Sequence, residues 1–188
     1  MILSIASFAC ERQHSGTTNQ TDQELLRVAS YGPAFKKALI KRIGQSDSIT
    51  ITEQSDWTDF IPRASMEEAP RTEKDAPKYD YRSVCLSKLQ ISAFLYAAEG
   101  MEEATDDLYT FCGFQPHHRI DFQSGEDSSS MVVCFECDGI EWKDADFKEP
   151  KGLFPVLKMV IEGSGLSIVR DWPQMAIERR EQDAASNR

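Results

Sequence analysis

The stretch His118-Arg-Ile-Asp-Phe-Gln-Ser-Gly-Glu-Asp-Ser-Ser-Ser-Met-Val-Val-Cys-Phe-Glu-Cys137 alternates at both ends about a polar middle. His118, Ile120 and Phe122 fall on one face of a strand, and His117, Arg119 and Asp121 on the other. Residues 123–130 read as a polar turn. Beyond it Met131, Val133 and Phe135 alternate with Val132 and Cys134, so the next strand runs into a Cys-x-x-Cys.

Upstream, Ser48-Ile-Thr-Ile-Thr-Glu53 alternates β-branched residues and predicts a strand; residues 79–86 predict another. Residues 33–43 predict a helix with Phe35, Leu39 and Ile43 on one side, Pro33 in its first turn and Gly44 at its end. Residues 88–98 predict a second helix, presenting Ile91, Phe94 and Leu95 and closed by Gly100. Thr21-Asp-Gln-Glu24 has the form of a capping box, which places an earlier, short helix from Asp22. The clearest helix covers residues 152–162: Leu153, Val156, Leu157, Val160 and Ile161 make an i, i+3, i+4, i+7, i+8 stripe, with Gly163 as its stop. Leu166 and Ile168 suggest a last short strand.

This order predicts an α+β fold with a largely antiparallel sheet and helices packed on one side. Residues 1–20 read as an N-terminal tether or remnant signal segment and 21–176 as a single α+β domain. Within it, residues 62–78, rich in proline and charge, read as a mobile loop. Residues 177–188 read as a disordered tail.

The chain has 188 residues and a net charge of −10, from 21 basic and 31 acidic side chains. Such a surface is repelled by phosphate backbones, so no nucleic-acid partner is expected. Contact with anionic membranes is disfavoured for the same reason. The basic cluster Lys36, Lys37, Lys41 and Arg42 and the acidic run Glu99, Glu102, Glu103, Asp106 and Asp107 read as solvated faces. The apolar segment before Cys10 is too short to span a bilayer and lacks the basic start of a secretory signal. Its end, Ser7-Phe-Ala-Cys10, resembles the lipobox of bacterial lipoproteins without the leucine usual three residues before the cysteine. Membrane association is therefore expected only through a lipid anchor at Cys10, and the location is either the cell envelope or the cytoplasm.

If Cys10 carries lipid, Cys85, Cys112, Cys134 and Cys137 remain. Zinc prefers four tetrahedral sulfur and nitrogen ligands, and Cys112, His118, Cys134 and Cys137 would make a Cys3His set. Strand phase favours His118, which shares the face of Ile120 and Phe122; His117 is the substitute. In a regular strand Cys134 and Cys137 point to opposite faces, so they converge only if the chain bends between them. Asp138-Gly139 supports a turn there. Were it a two-residue hairpin, Phe135 would pair with Trp142 and Glu136 would face Glu141. The competing readings are a stabilising disulfide, a redox-active pair Cys134/Cys137, and plain burial of small apolar thiols beside a satisfied histidine. The redox reading lacks basic neighbours, since Glu136 and Asp138 raise rather than lower a thiol pKa.

The segment with Cys112, Phe114, Pro116 and His118, followed by Cys134-Phe135-x-Cys137, resembles a pattern in uncharacterised bacterial proteins, many of them classed as lipoproteins. The likeness covers roughly residues 105–170. It implies that the four site residues act together, and it carries no mechanism.

No phosphate loop, dinucleotide fingerprint, G-x-S-x-G elbow or Ca2+ loop occurs. The expectation is a non-enzymatic accessory or interaction protein with an unidentified protein partner. Its Cys/His cluster is structural and a candidate for zinc; the alternative is a thiol–disulfide redox protein using Cys134 and Cys137.

Overall fold

The computed structural model describes residues 31–61, 74, 76–105, 113–145 and 148–186. Among these, helix α1 (Tyr31–Gln45) leads into strand β1 (Ser48–Gln54) and a single 3-10 turn (Trp57–Phe60). Then come β2 (Asp80–Cys85), α2 (Lys88–Glu99), β3 (His118–Ser124), β4 (Asp127–Cys134), β5 (Gly139–Trp142), α3 (Leu153–Gly163) and α4 (Trp172–Ser186). The five strands form one antiparallel sheet in the order β2-β1-β3-β4-β5, so the chain is an α+β protein.

The alternation decides which face is covered. Ile49 and Ile51 of β1, Ile120 and Phe122 of β3, and Met131 and Val133 of β4 are all fully buried. They meet Phe35, Leu39 and Ile43 of α1, Phe94 and Ala98 of α2, and Leu153, Leu157 and Ile161 of α3 in one core. The opposite face is polar: Thr52 bonds Ser83 at 2.9 Å, and Arg119 pairs with Asp80 and Asp121, each at 3.0 Å.

Helices α2 and α3 have local causes at their ends. Ser87 caps α2 reciprocally with Gln90. Helix α3 stops at a Schellman turn: Gly165 lies at φ +85°, and Leu166 donates to the Ile161 carbonyl at 3.2 Å. The stop is thus Gly165, two residues beyond the glycine expected from sequence. Two other glycines admit the chain after α2. A Cβ on Gly32 would lie 1.7 Å from the Glu103 carbonyl oxygen, and one on Gly152 would lie 2.5 Å from Glu102 N. Lys36 fixes that passing segment by donating to Met101 O and pairing with Glu103, each at 3.0 Å. Arg42 pairs with Asp127 and Asp144 at 2.7 and 2.6 Å, so the basic residues of α1 join elements as well as meeting solvent.

Three expectations need correcting. The tail read as disordered from residue 177 is helical to Ser186. Its start is capped by Asp171, which accepts from Gln174 N at 3.1 Å, and Trp172 and Ala176 are buried. Arg179 and Asp183 pair at i, i+4, and the run is rich in good helix formers. Residues 166–168 form no strand: Leu166 N closes the Schellman turn onto Ile161, and the N–H and C=O of Ser167 go to the side chains of Glu53 and His118 rather than to a ladder. The turn between β3 and β4 is only Gly125-Glu126, and β4 begins at Asp127. The helix expected from Asp22, and residues 62–73 and 75 of the expected loop, lie outside the described residues.

Candidate functional site

The register places a row of side chains across the core face near one end of the sheet. Arg82 of β2 stands opposite Glu53 of β1, Glu53 opposite His118 of β3, and His118 opposite Val133 of β4. Glu53 continues the phase of Ile49 and Ile51, so the strand carries a carboxylate to the apolar side, where it is 1% exposed. A carboxylate there needs donors.

They come from the link between α3 and α4. Ser167 N donates to Glu53 Oε1 at 2.8 Å, and Arg170 donates to the same oxygen through Nε at 3.0 Å and Nη2 at 2.8 Å. His118 Nε2 donates to Ser167 O at 3.0 Å, and Arg82 Nη1 donates to Gly165 O at 2.8 Å. Three neighbouring strands thus clasp one irregular segment by side chains. The Schellman turn aims Ser167 at the clasp.

With its proton on Nε2, His118 turns a bare Nδ1 lone pair into the protein, buried and without a hydrogen-bond partner. Burial lowers the imidazole pKa to about 4, against the opposing pull of the Ser167 carbonyl and Glu53. The ring meets Phe135 and Trp172 edge-on, with centroids 5.4 and 5.6 Å apart.

His117 is buried as well. Its Nε2 donates to Asp59 Oδ1 at 3.0 Å, and its ring stacks on Trp172. Asp59 is held by the 3-10 turn, where its other oxygen accepts from Asp56 N at 2.8 Å. Tyr81 also stacks with the indole, centroids 6.3 Å apart. Its hydroxyl is buried near Ser55 without a hydrogen bond of good geometry, and burial, with Asp59 adding to it, pushes the phenol pKa up.

The cysteines fall elsewhere. Residues directly paired across an antiparallel ladder share a face, so Val133 shares that of His118 and Cys134 is turned to the opposite one. Cys134 is fully buried and pairs with Gly139, which makes residues 135–138 a four-residue loop. The two-residue hairpin, with Phe135 opposite Trp142, is therefore not formed; Trp142 pairs with Met131. Asp138 ends the loop at φ +46°, and the chain does turn between Cys134 and Cys137. The Cys137 sulfur packs over Gly139 beside Phe114, and no disulfide joins Cys85, Cys134 or Cys137. Among the described residues no three His, Cys, Asp or Glu side chains are placed to share a metal ion. Cys112 and Cys10 lie outside the described residues.

A cleft of about 300 Å³ opens near the polar face, lined by Gln54, Trp57, Lys78, Tyr79, Asp80 and Arg119 among others. Arg119 does not present a bare cation there, since Asp80, Asp121 and Gln54 take its donors.

Strand phase thus identified the right face for His118, but Glu53, Arg82, Asp59, Arg170 and Trp172 were missed. The one local signal was the period-two series Ile49, Ile51, Glu53, which puts a charge on an apolar face. Comparison with known proteins finds no matching family model, no matching curated protein and no matching solved structure.

Proposed function

We propose that this chain is a non-enzymatic accessory or interaction module, in which the residues with most chemical potential are spent on tertiary structure. The observation that carries the reading is the clasp: Glu53, His118 and Arg82 all engage the backbone or side chains of residues 165–170. His117, the other described histidine, is held between Asp59 and Trp172. Groups so committed and so buried are poorly placed to meet a substrate. The test is His118→Gln and Cys134→Ser assayed beside the parent protein for hydrolysis of generic esters and for dithiol–disulfide exchange. Variants that lose stability, with no rate to lose, support the reading. A rate abolished by His118→Gln at unchanged stability overturns it in favour of an enzyme, and one abolished by Cys134→Ser favours the thiol–disulfide alternative.

A zinc-stapled form of the same module is favoured by one observation, the unpartnered Nδ1 of His118. Metal-binding histidines ordinarily donate their second ring nitrogen to a carbonyl or carboxylate, as Nε2 does here to Ser167. Cys112, Cys134 and Cys137 would complete the set. The opposite facing of Cys134 counts against it, because closure would require a local rearrangement of the β4–β5 loop. Protein purified without added zinc decides: about one equivalent of metal, lost in His118→Gln, supports the staple, and less than ~0.2 equivalents removes it. No described helix is long and apolar enough to cross a membrane. Attachment through a lipidated Cys10 is part of the proposal and is read directly from the mass of the N-terminal peptide.

A further inference from the structure

The outer face of α2 is independent of the clasp. At ~100° per residue, Leu89, Ser92, Ala93 and Tyr96 fall within an arc of about 100°. That arc lies diametrically across the helix from Phe94 and Ala98, which are fully buried. Leu89 is 81% and Tyr96 79% exposed, the largest exposures of large apolar side chains on any described helix. Ser92 does not make the stripe polar, because its hydroxyl donates to the Lys88 carbonyl at 2.9 Å within the same helix. Its hydrogen-bonding need is met before anything covers it.

We infer that this stripe is the contact between two copies of the chain, with the two α2 helices packed antiparallel about a twofold axis near Ser92 and Ala93. The sequence is self-complementary about that point. Leu89 of one copy meets Tyr96 of the other, and Ser92 meets Ala93, so two small residues at the axis let the helices approach closely. Lys88 and Glu99 lie on the same flank of the stripe, at opposite ends of the helix. In an antiparallel pair, like flanks meet, so each Lys88 faces the partner's Glu99 and the contact carries two ion pairs. A parallel arrangement would put the two Lys88 side chains at one level on opposite flanks of the seam, far from either Glu99, and lose both pairs.

A twelve-residue helix is ~18 Å long, and a contact of that length falls at the low end of specific interfaces, below ~1,200 Å². The net charge of −10 on each copy also opposes association. The pair is therefore weak and reversible, and at ~0.15 M salt the Debye length of ~8 Å screens the long-range repulsion more than the contact pairs.

Sedimentation velocity of the full chain across ~5–500 µM tests it. The expected result is a concentration-dependent monomer–dimer equilibrium, weakened at least tenfold by Tyr96→Lys and by Lys88→Glu. The double exchange K88E/E99K should restore dimerisation to within about threefold, because the two ends trade charges. These residues are exposed, so an unchanged thermal midpoint in each variant separates interface loss from unfolding. Ala93→Cys adds an assay in the otherwise intact fold, since mild oxidation should join two copies well above the parent background. Monomer throughout the range overturns the inference, whether the stripe stays bare or is covered by the chain's own first thirty residues. So does a dimer indifferent to Tyr96→Lys, a double exchange no better than Lys88→Glu alone, or Ala93→Cys that stays uncoupled.

Discussion

His117 lies flat against Trp172, their ring planes 3° apart and their centroids 4.6 Å apart. Because the next residue, His118, meets the same indole edge-on at 87°, one tryptophan at the start of α4 covers two consecutive side chains at the mouth of β3. Trp172→Ala removes both contacts and the stack on Tyr81. It should cost about 3–5 kcal/mol, read as a lowered denaturant midpoint. Faster hydrogen exchange should be concentrated in α4 and the 3-10 turn it touches, with the remainder of the sheet little changed. Trp172→Phe should recover much of the loss.

Acid should loosen the clasp through His118. Its folded pKa, about 4, is depressed below the unfolded value of 6.5. The unfolded chain therefore binds the extra proton first, and stability falls as pH drops from about 6.5 to about 4. Above 6.5 the contribution is fully present; below 4 no further loss comes from this group. The shift corresponds to a few kcal/mol at most, on the order of 3. Denaturant titrations of the parent and of His118→Gln across pH 4–7 should show a smaller slope in the variant, because its amide can still donate to the Ser167 carbonyl but cannot titrate. Equal slopes would remove His118 as the cause.

Glu53→Gln tests the other half of the clasp. The amide keeps the shape and one acceptor but leaves Arg170 without a counter-charge. Arg170 is 32% exposed, so water takes up part of that loss. A destabilisation of about 1–3 kcal/mol is expected, smaller than the ~3–5 kcal/mol of a fully buried broken pair. A double-mutant cycle with Arg170→Met should return a clear coupling energy, and additivity would show that the two side chains act separately.

Two glycines should respond oppositely to alanine. At Gly152 a Cβ would lie 2.6 Å from Met101 Cγ and 2.8 Å from the Glu102 carbonyl, so the chain after α2 must move, at a cost of about 1–3 kcal/mol. At Gly163 nothing lies within 4 Å, and the residue is helical. Gly163→Ala should stabilise by roughly 0.4–1 kcal/mol through the unfolded chain. Thermal midpoints of the two variants, moving apart from the parent, check both.

The legible parts of the fold were those in which one face is apolar. Ile49 and Ile51, Ile120 and Phe122, and the stripe of α3 each state their own periodicity, and all face the core. Asp127 to Ser130 could not be read as strand, since the half-strand contains no apolar residue. It is held by its register with β3 and by Trp142, whose Nε1 donates to the buried Ser129 hydroxyl at 2.8 Å. Helix α4 was missed although Asp171-Trp-Pro carries a start signal, an N-cap residue with proline in the first turn. Only Trp172 and Ala176 of its fifteen residues are buried, too few to mark a stripe. For the site, the core-facing phase of His118 was local information. Its partners were not: the Ser167 carbonyl is 49 residues away, and Glu53 meets Ser167 across 114.

That separation bears on the order in which the molecule assembles. Strands β3, β4 and β5 join through loops of two and four residues, whereas Arg170 and Glu53 meet across 117. Closing a short loop forfeits far less chain entropy than closing a long one, so the three-strand meander is expected to form early and the C-terminal segment to dock late. The clasp is then largely absent from the folding transition state. Weakening it should leave the refolding rate almost untouched and appear as faster unfolding. What Glu53 and His118 set is how long the native protein lasts once made, more than how quickly it is reached.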